Sequence, residues 1–405
     1  MKNILIYIND SLGELDWIAP FLKSKEAEKF NFYIFLNGPG KNYLEKKIIL
    51  ERYDLVKDNI QIINSMGQKD FYLFKLDEFL NRVLGRIKLY SFSAFKFFRK
   101  SFDLFRKSSA YLLASSEVKF DYIFRDYNLK DSTSLQRYLL DNKEAKIVIF
   151  PHAVGLQKEH LSCPREPLKI VKSDLWLENS NYSDIAQKSP TYKDVFYASG
   201  VPAFDVNYEL KSLFKVESKK VLIITRDCGM TFGFDYEDAF KVFDRLLEEL
   251  EELGFSVEVK HHPRDRKISE WRKIQNKYFN IRELDKSLMN IDSQYSACLT
   301  LFSTAPLFLL SRQIPIYEFS PYKKYEDYKR SFPMHYSDED GNLTHDLLAL
   351  KLYKRLNRVS DFKLFMDEKS LKKLSKEQYE RCKEIFPLGA NLNITTKLLD
   401  LYNEK

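Results

Sequence analysis

Two short apolar runs, each breaking off at polar residues, constrain the fold of this chain more than any other feature. In SVEVKHHPRDR, residues 256–266, a strand from Val257 to Val259 runs into Lys260, His261, His262 and Pro263. In ACLTLFSTAPLFLLSRQIPIYEF, residues 297–319, a strand ending at Phe302 meets Ser303 and Thr304, then an apolar helix through Leu310 and a second strand from Ile314. Strand, polar tip, helix and strand in that order describe a parallel α/β sheet with crossover helices. Ligands of such sheets bind outside the carboxyl ends of the strands, so the polar tips mark where a site should form.

The same alternation runs along the chain. Strand-like runs at Ile4–Ile8, Phe32–Leu36, Asp121–Phe124, Ile147–Phe150 and Leu175–Leu177 are separated mostly by helical patterns. With 405 residues, the chain is too long for one core, and two domains of about 200 residues are expected. The junction is placed after YASGVPAFD, where Gly200 and Pro202 precede a polar, Lys-rich stretch. A second unit restarts at Val221–Thr225, followed by the turn-rich RDCGMTFGFD and an amphipathic helix closed by Gly254. The predicted organisation is α/β throughout: an N-terminal Rossmann-like unit over 1–205, a C-terminal Rossmann-like unit over 206–380, and a helical tail over 381–405.

Composition excludes several classes. Hydrophobic residues at 44% and charged residues at 30% are ordinary for a globular protein. The formal net charge of +7 suits an anionic substrate or a membrane surface as well as it suits nucleic acid. Cys163, Cys228, Cys298 and Cys382 lie far apart with no CxxC pair, which predicts reduced thiols in a cytosolic protein. The run after Met1 is too short for a signal-peptide core, and none approaches the roughly 20 apolar residues of a membrane span. The acidic SDEDGN at 337–342 lacks the spacing of a calcium loop and is expected to be an exposed turn. With no Walker, GxGxxG or GxSxG motif and no clustered ligands, the chemistry is expected to need no metal and no cofactor.

Several tip residues could carry chemistry. Asp227 lies just past a strand, beside Arg226 and two residues before Gly229, whose missing side chain lets a ligand approach the backbone. It could remove a proton from an acceptor hydroxyl, attack an anomeric carbon, or only cap a turn. His261 and His262 sit beside Lys260 and Arg264, cations suited to a phosphate leaving group. Strand alternation turns the two rings to opposite sides, and His262 is the one expected at the site. Ser303 or Thr304 should cap the helix that Pro306 opens, and free N–H groups there would attract an anion. Glu318 ends the next strand and could accept hydrogen bonds from a ribose or base. In the first half, PHAVGLQKEH offers His152, Gln157, Glu159 and His160, with Glu159 as a second carboxylate or an exposed loop residue. Arg125, Asp126 and Asn128, and Asn9 with Asp10, are weaker tip candidates.

Residues 84–113 place Phe92, Phe95, Phe98, Phe102 and Phe105 at helical spacing, interleaved with Lys96, Arg99, Lys100, Arg106 and Lys107. Such a helix either packs its aromatic stripe into the core or lies in a membrane interface.

The His262–Pro263 pair, the Ser303–Thr304 pair and the RDCG loop holding Asp227 together resemble GT-B glycosyltransferases that use CMP-activated acidic sugars. The nearest group is the retaining β-Kdo transferases of capsule and O-antigen assembly, and more distantly the bacterial sialyltransferases. The resemblance implies a GT-B fold of two Rossmann-like domains facing a cleft, and transfer of Kdo from CMP-Kdo to a surface-polysaccharide or lipopolysaccharide acceptor. It implies Asp227 as a nucleophile, Glu159 on the acceptor side, and His262, Ser303 and Thr304 on the CMP phosphate. Lys260, Arg226, Gly229, His152, Gln157 and Glu318 would complete the substrate-binding set. The partners would be a nucleotide-sugar donor and a glycan or lipid-linked acceptor, not nucleic acid. The setting would be cytoplasmic, with peripheral contact at the inner membrane. Sialyltransferases often carry two acidic residues before the motif's Gly, whereas here Cys228 separates Asp227 from Gly229. An inverting sialyltransferase and a CDP-glycerol-type glycerophosphotransferase remain alternatives, as does a non-enzymatic protein that binds membranes or anionic polymers.

Overall fold

The computed structural model describes residues 1–8, 13–36, 53, 55, 57–64, 118–126, 135, 138–139, 142–151, 154, 173–183, 193–209, 219–226, 235–262, 265–285, 288, 291, 295–301, 303–320, 336–337, 339, 341, 343–356 and 367–403. Two parallel sheets organise them. The first contains β1 (Lys2–Ile8), β2 (Phe30–Leu36), β3 (Ile60–Asn64), β4 (Tyr122–Asp126), β5 (Lys146–Phe150), β6 (Leu175–Glu178) and β7 (Phe196–Ala198), in the order β3-β2-β1-β4-β5-β6-β7. Its inner strands are buried along most of their length, as expected where helices cover both faces of a parallel sheet. Helix α1 (Gly13–Lys23) follows β1 and buries Trp17, Phe21 and Leu22 against this sheet's core.

The chain leaves this sheet through α2 (Pro202–Glu209) and builds the second one. There β8 (Lys220–Ile224) is followed by α3 (Tyr236–Glu252), β9 (Ser256–Lys260), α4 (Ile268–Gln275), β10 (Ile281–Glu283), β11 (Ala297–Thr300), the short α5 (Leu307–Leu310) and β12 (Ile316–Glu318). After a separate antiparallel hairpin of β13 (Tyr336–Ser337) and β14 (Leu343–Thr344) and the short α6 (Asp346–Ala349), β15 (Lys354–Arg355) completes the second sheet in the order β10-β9-β8-β11-β12-β15. Residues 337–342 thus join the strands of a hairpin, with Gly341 at positive φ.

Helix α3 shows how sequence becomes packing. Asp235 accepts a hydrogen bond from the backbone N–H of Asp238 and so caps the helix. Phe243, Leu246, Leu247 and Leu250 recur on one face and are fully buried, at about 1.5–3 kcal/mol each. Gly254, at φ +71°, ends the helix in the left-handed conformation that Gly adopts most easily.

Two terminal helices lead from the second sheet back to the first. Helix α7 (Glu368–Ile385) lies along β12: the Gln378 amide pairs with both backbone groups of Ile316, and Ser375 donates to the Gln313 carbonyl. The expected boundary at 380/381 falls inside this helix. Helix α8 (Ala390–Asn403) packs on the first sheet, where Tyr122 donates to the Leu398 carbonyl at 2.6 Å and the Lys2 ammonium sits 3.1 Å from the Tyr402 ring centroid. At the joint, Asp205 accepts from the N–H groups of Ala390 and Asn391 at 3.0 and 2.8 Å, capping α8. Gly200, at φ +94°, lies so near Pro387 that a Cβ would fall 2.2 Å from its carbonyl oxygen. No other residue type fits there.

Candidate functional site

All strands of the second sheet run parallel, so their carboxyl ends share one edge, with β9, β8, β11 and β12 in succession. At about 4.8 Å per strand, the four tips span about 14 Å. Those residues singled out in the second half that the structure describes lie along that line.

At the β9 tip, successive residues diverge. The Lys260 ammonium donates to the carbonyls of Leu284 (3.0 Å) and Asp285 (3.3 Å), which ties it to the segment after β10. His261 is only 5% exposed. Its Nε2 lies 3.1 Å from the Gln275 Oε1, which can only accept, so Nε2 carries the proton. Nδ1, 3.1 Å from the Thr225 hydroxyl, then accepts from it. Burial holds the His261 pKa below the usual histidine value, consistent with this neutral tautomer. His262, next along, is partly exposed. The pair thus separates as strand alternation predicts: His261 stitches β8, β9 and α4 together, and His262 stays at the edge.

The backbone after His262 is also held. Asp265 N–H donates to the His262 carbonyl at 3.0 Å. The buried Asp265 carboxylate accepts from the Tyr236 hydroxyl (2.8 Å), Lys267 N–H (2.8 Å) and the Trp271 indole N–H (2.7 Å). Phe240 and Phe243 stand edge-on to Trp271, with centroids at 4.6 and 5.0 Å.

At the β8 tip Arg226 is partly exposed. Asp227 and Gly229 lie outside the described residues, as do Pro263 and Arg264. At the β11 tip Ser303 is buried, and its hydroxyl accepts from Ala305 N–H at 3.3 Å. The helix begins only at Leu307, so neither Ser303 nor Thr304 caps it. Each sits one turn earlier, where the Thr304 backbone carbonyl accepts from Leu307 N–H. Below them the Tyr353 hydroxyl donates to the Ser303 carbonyl at 2.8 Å.

At the β12 tip Glu318 is 1% exposed, and His345 Nε2 donates to its Oε2 at 2.5 Å. Its other oxygen, Oε1, is buried and accepts no hydrogen bond among the described residues. The His345 ring meets Tyr353 edge-on at 6.4 Å. Burial pushes the Tyr353 hydroxyl well above the usual tyrosine pKa, keeping it a neutral donor. Arg226, Ser303, Glu318, His345 and Tyr353 therefore form one neighbourhood. Thr225, Asp265, Gln275, His345 and Tyr353 were not foreseen as site residues. Only Asp265, inside the quoted HHPRDR, carried any signal of its own.

The first sheet's edge is different. Arg125 and Asp126, ending β4, are each 1% exposed, and Glu178, ending β6, is buried. The Trp176 indole donates to Glu178 Oε1 at 3.0 Å and the Trp17 indole to Asn179 Oδ1 at 2.6 Å. His152, Gln157, Glu159, His160, Asn128, Asn9 and Asp10 lie outside the described residues, as does the whole of 84–113. Among the described residues no His, Cys, Asp and Glu group could hold a metal, and no helix is long and apolar enough to cross a membrane. Cys298 and Cys382 are buried and form no disulfide.

No protein-family model matches the chain, and no curated protein matches its sequence. Solved structures do match. S. aureus MnaA, solved with UDP, is 14% identical with a TM-score of 0.58, over 100% of this chain and 97% of that one. TcCGT1 in complex with UDP is 9% identical at a TM-score of 0.54, over 100% of both chains. The UDP-GlcNAc 2-epimerase of Neisseria meningitidis, bound to UDP-GlcNAc, is 13% identical at 0.51, over 99% of this chain and 100% of that one. At these identities the likeness shows the fold, the GT-B arrangement of two Rossmann-like sheets along the whole chain.

Proposed function

We propose that the chain is a glycosyltransferase that takes an acidic sugar, Kdo, from CMP-Kdo and attaches it to a surface-glycan acceptor. The observation that carries this reading is the line of polar tips on the second sheet: Lys260 and His262, Arg226, Ser303 and Thr304, then Glu318. Glu318 Oε1 is a buried acceptor, suited to ribose hydroxyls. His262 and Arg226, partly exposed at the β9 and β8 tips, suit the phosphate, whose charge on leaving is stabilised by cationic and N–H donors. The net charge of +7 agrees with an anionic donor and acceptor. Some structures sharing the fold were solved with UDP or UDP-GlcNAc, which supports a nucleotide-sugar partner.

In this reading the Asp227 carboxylate attacks the anomeric carbon, the bond to the CMP phosphate oxygen breaks, and CMP leaves. The acceptor hydroxyl then displaces Asp227, which leaves as a carboxylate, and the hydroxyl proton passes to Glu159 on the acceptor side. Configuration is retained, and neither metal nor cofactor takes part. Mass spectrometry of protein quenched during turnover with CMP-Kdo should show one Kdo residue on Asp227. An α-linked product without an adduct would make Asp227 a base and the reaction inverting.

The likeness to UDP-GlcNAc 2-epimerases favours a second reading, a UDP-sugar isomerase. It predicts turnover of a UDP-sugar with no acceptor present, whereas a transferase needs both substrates. Thermal stabilisation by CMP but not UDP supports the first reading, and the reverse supports the second.

A further inference from the structure

Asp265 is almost entirely withdrawn from water, yet its carboxylate pairs with no cation among the described residues; three N–H and O–H donors fill it. Two of those donors come from different helices, Tyr236 on α3 and Trp271 on α4. A buried carboxylate is costly unless its lone pairs are met, so the three bonds fix where Asp265 sits. From there its own N–H holds the His262 carbonyl. On the other side of His262, the His261 ring is locked between Thr225 and Gln275. The partly exposed His262 is thereby held on both flanks by buried neighbours.

We propose that Asp265 is the positioning residue for His262, setting the place from which that imidazole meets the donor's phosphate. The inference rests on the reading of His262 as a phosphate contact. Asp265→Asn keeps the volume, but its amide NH2 must face at least one of the donors now bound, so the segment shifts. Misplacement on the scale of an ångström can cost two orders of magnitude at a site. A partial shift should weaken nucleotide binding by about tenfold.

The test titrates CMP and UDP into the intact protein by calorimetry at 15 °C, with circular dichroism to confirm folding. The proteins are wild type, Asp265→Asn, His262→Ala, the double variant and the milder Tyr236→Phe. If Asp265 acts through His262, Asp265→Asn weakens binding about tenfold, Tyr236→Phe weakens it less, and Asp265→Asn adds under about twofold in the His262→Ala background. A merely structural Asp265 lowers the melting temperature in both backgrounds while its effect on affinity multiplies with that of His262→Ala, which overturns the proposal. Unchanged affinity in a folded Asp265→Asn protein overturns it as well. If His262→Ala itself leaves binding of both nucleotides unaltered, the reading of His262 falls first and the positioning role falls with it.

Discussion

The carboxyl edges of the two sheets carry similar residue types and use them differently. On the first sheet, the described tip groups turn inward. Glu178 and Asn179 take indole N–H groups, Ser180 donates to the Ile385 carbonyl, and the Ser199 carbonyl accepts from Asn393. Several of these bonds reach the return helices, so this edge helps hold the joint. On the second sheet buried polar groups support the tip residues, among which His262 and Arg226 are partly exposed. Thr225, His261, Gln275 and Asp265 support His262, Tyr353 supports Ser303, and His345 supports Glu318. Side chains held from below lose little rotamer freedom on meeting a ligand, which is what a binding edge requires. Substitutions should therefore separate: stability alone falls at the joint, while affinity falls at the second edge.

The largest effect is expected at Glu318. Glu318→Ala strands His345 in the interior, and removing one partner of a buried pair costs about 3–5 kcal/mol. Denaturant unfolding should show that loss, and nucleotide binding should vanish in protein that remains folded. Glu318→Gln, similar in volume, should keep much of the stability and still bind poorly. Full nucleotide affinity in Glu318→Gln would remove this edge's claim to the ribose.

The neighbouring histidines sharpen the contrast within a single strand end. His261→Ala leaves Thr225 and Gln275 without their buried partner and should cost about 1–3 kcal/mol. His262→Ala, at a partly exposed position, should cost under about 0.5 kcal/mol in stability yet reduce kcat/KM for the donor strongly. Equal losses of donor use in the two variants at a temperature where both are folded would erase the distinction.

At the joint, Asp205→Ala removes the cap of α8 and should cost about 1 kcal/mol. Nucleotide affinity should be unchanged. A parallel loss of affinity would mean that the joint and the second edge are coupled, and the two regions would not be separable.

The inner architecture was legible in the sequence because inner strands must be apolar on both faces. The runs at 4–8, 32–36, 121–124, 147–150, 175–177, 221–225 and 257–259 stand out for that reason. The strands that gave no clear signal, β3, β7, β10 and β15, are the four sheet edges. The burial of β7, β10 and β15 is only partial, so a polar or short sequence suffices there. Tip residues at the site were legible as breaks in apolar runs. Their supports were not: Gln275, His345 and Tyr353 reach the tips from elsewhere in the chain, and nothing local in IQN, THD or LYK announces a partner. The helix at Leu307 starts later than Pro306 implied, because Ser303 and Thr304 are used in the preceding turn.

The smallest effect concerns protonation beneath the second edge. Burial lowers the His261 pKa, opposed by the Gln275 hydrogen bond and by Glu283 and Asp265, and reinforced by Arg272. The unfolded chain takes up this proton near pH 6.5, the folded chain only at a lower pH. Between those values the unfolded state binds more protons, so stability rises with pH through the window. It falls as pH drops below about 6.5 and this contribution levels off once the folded ring is charged. His261→Gln removes the titrating group while leaving the carboxylates that also respond to acid. The gap in unfolding free energy between wild type and His261→Gln should therefore narrow from pH 7 to pH 5, at fixed ionic strength. A gap that stays constant over that range would mean that the folded ring titrates like a solvated one, and that the layer under His262 is open to water.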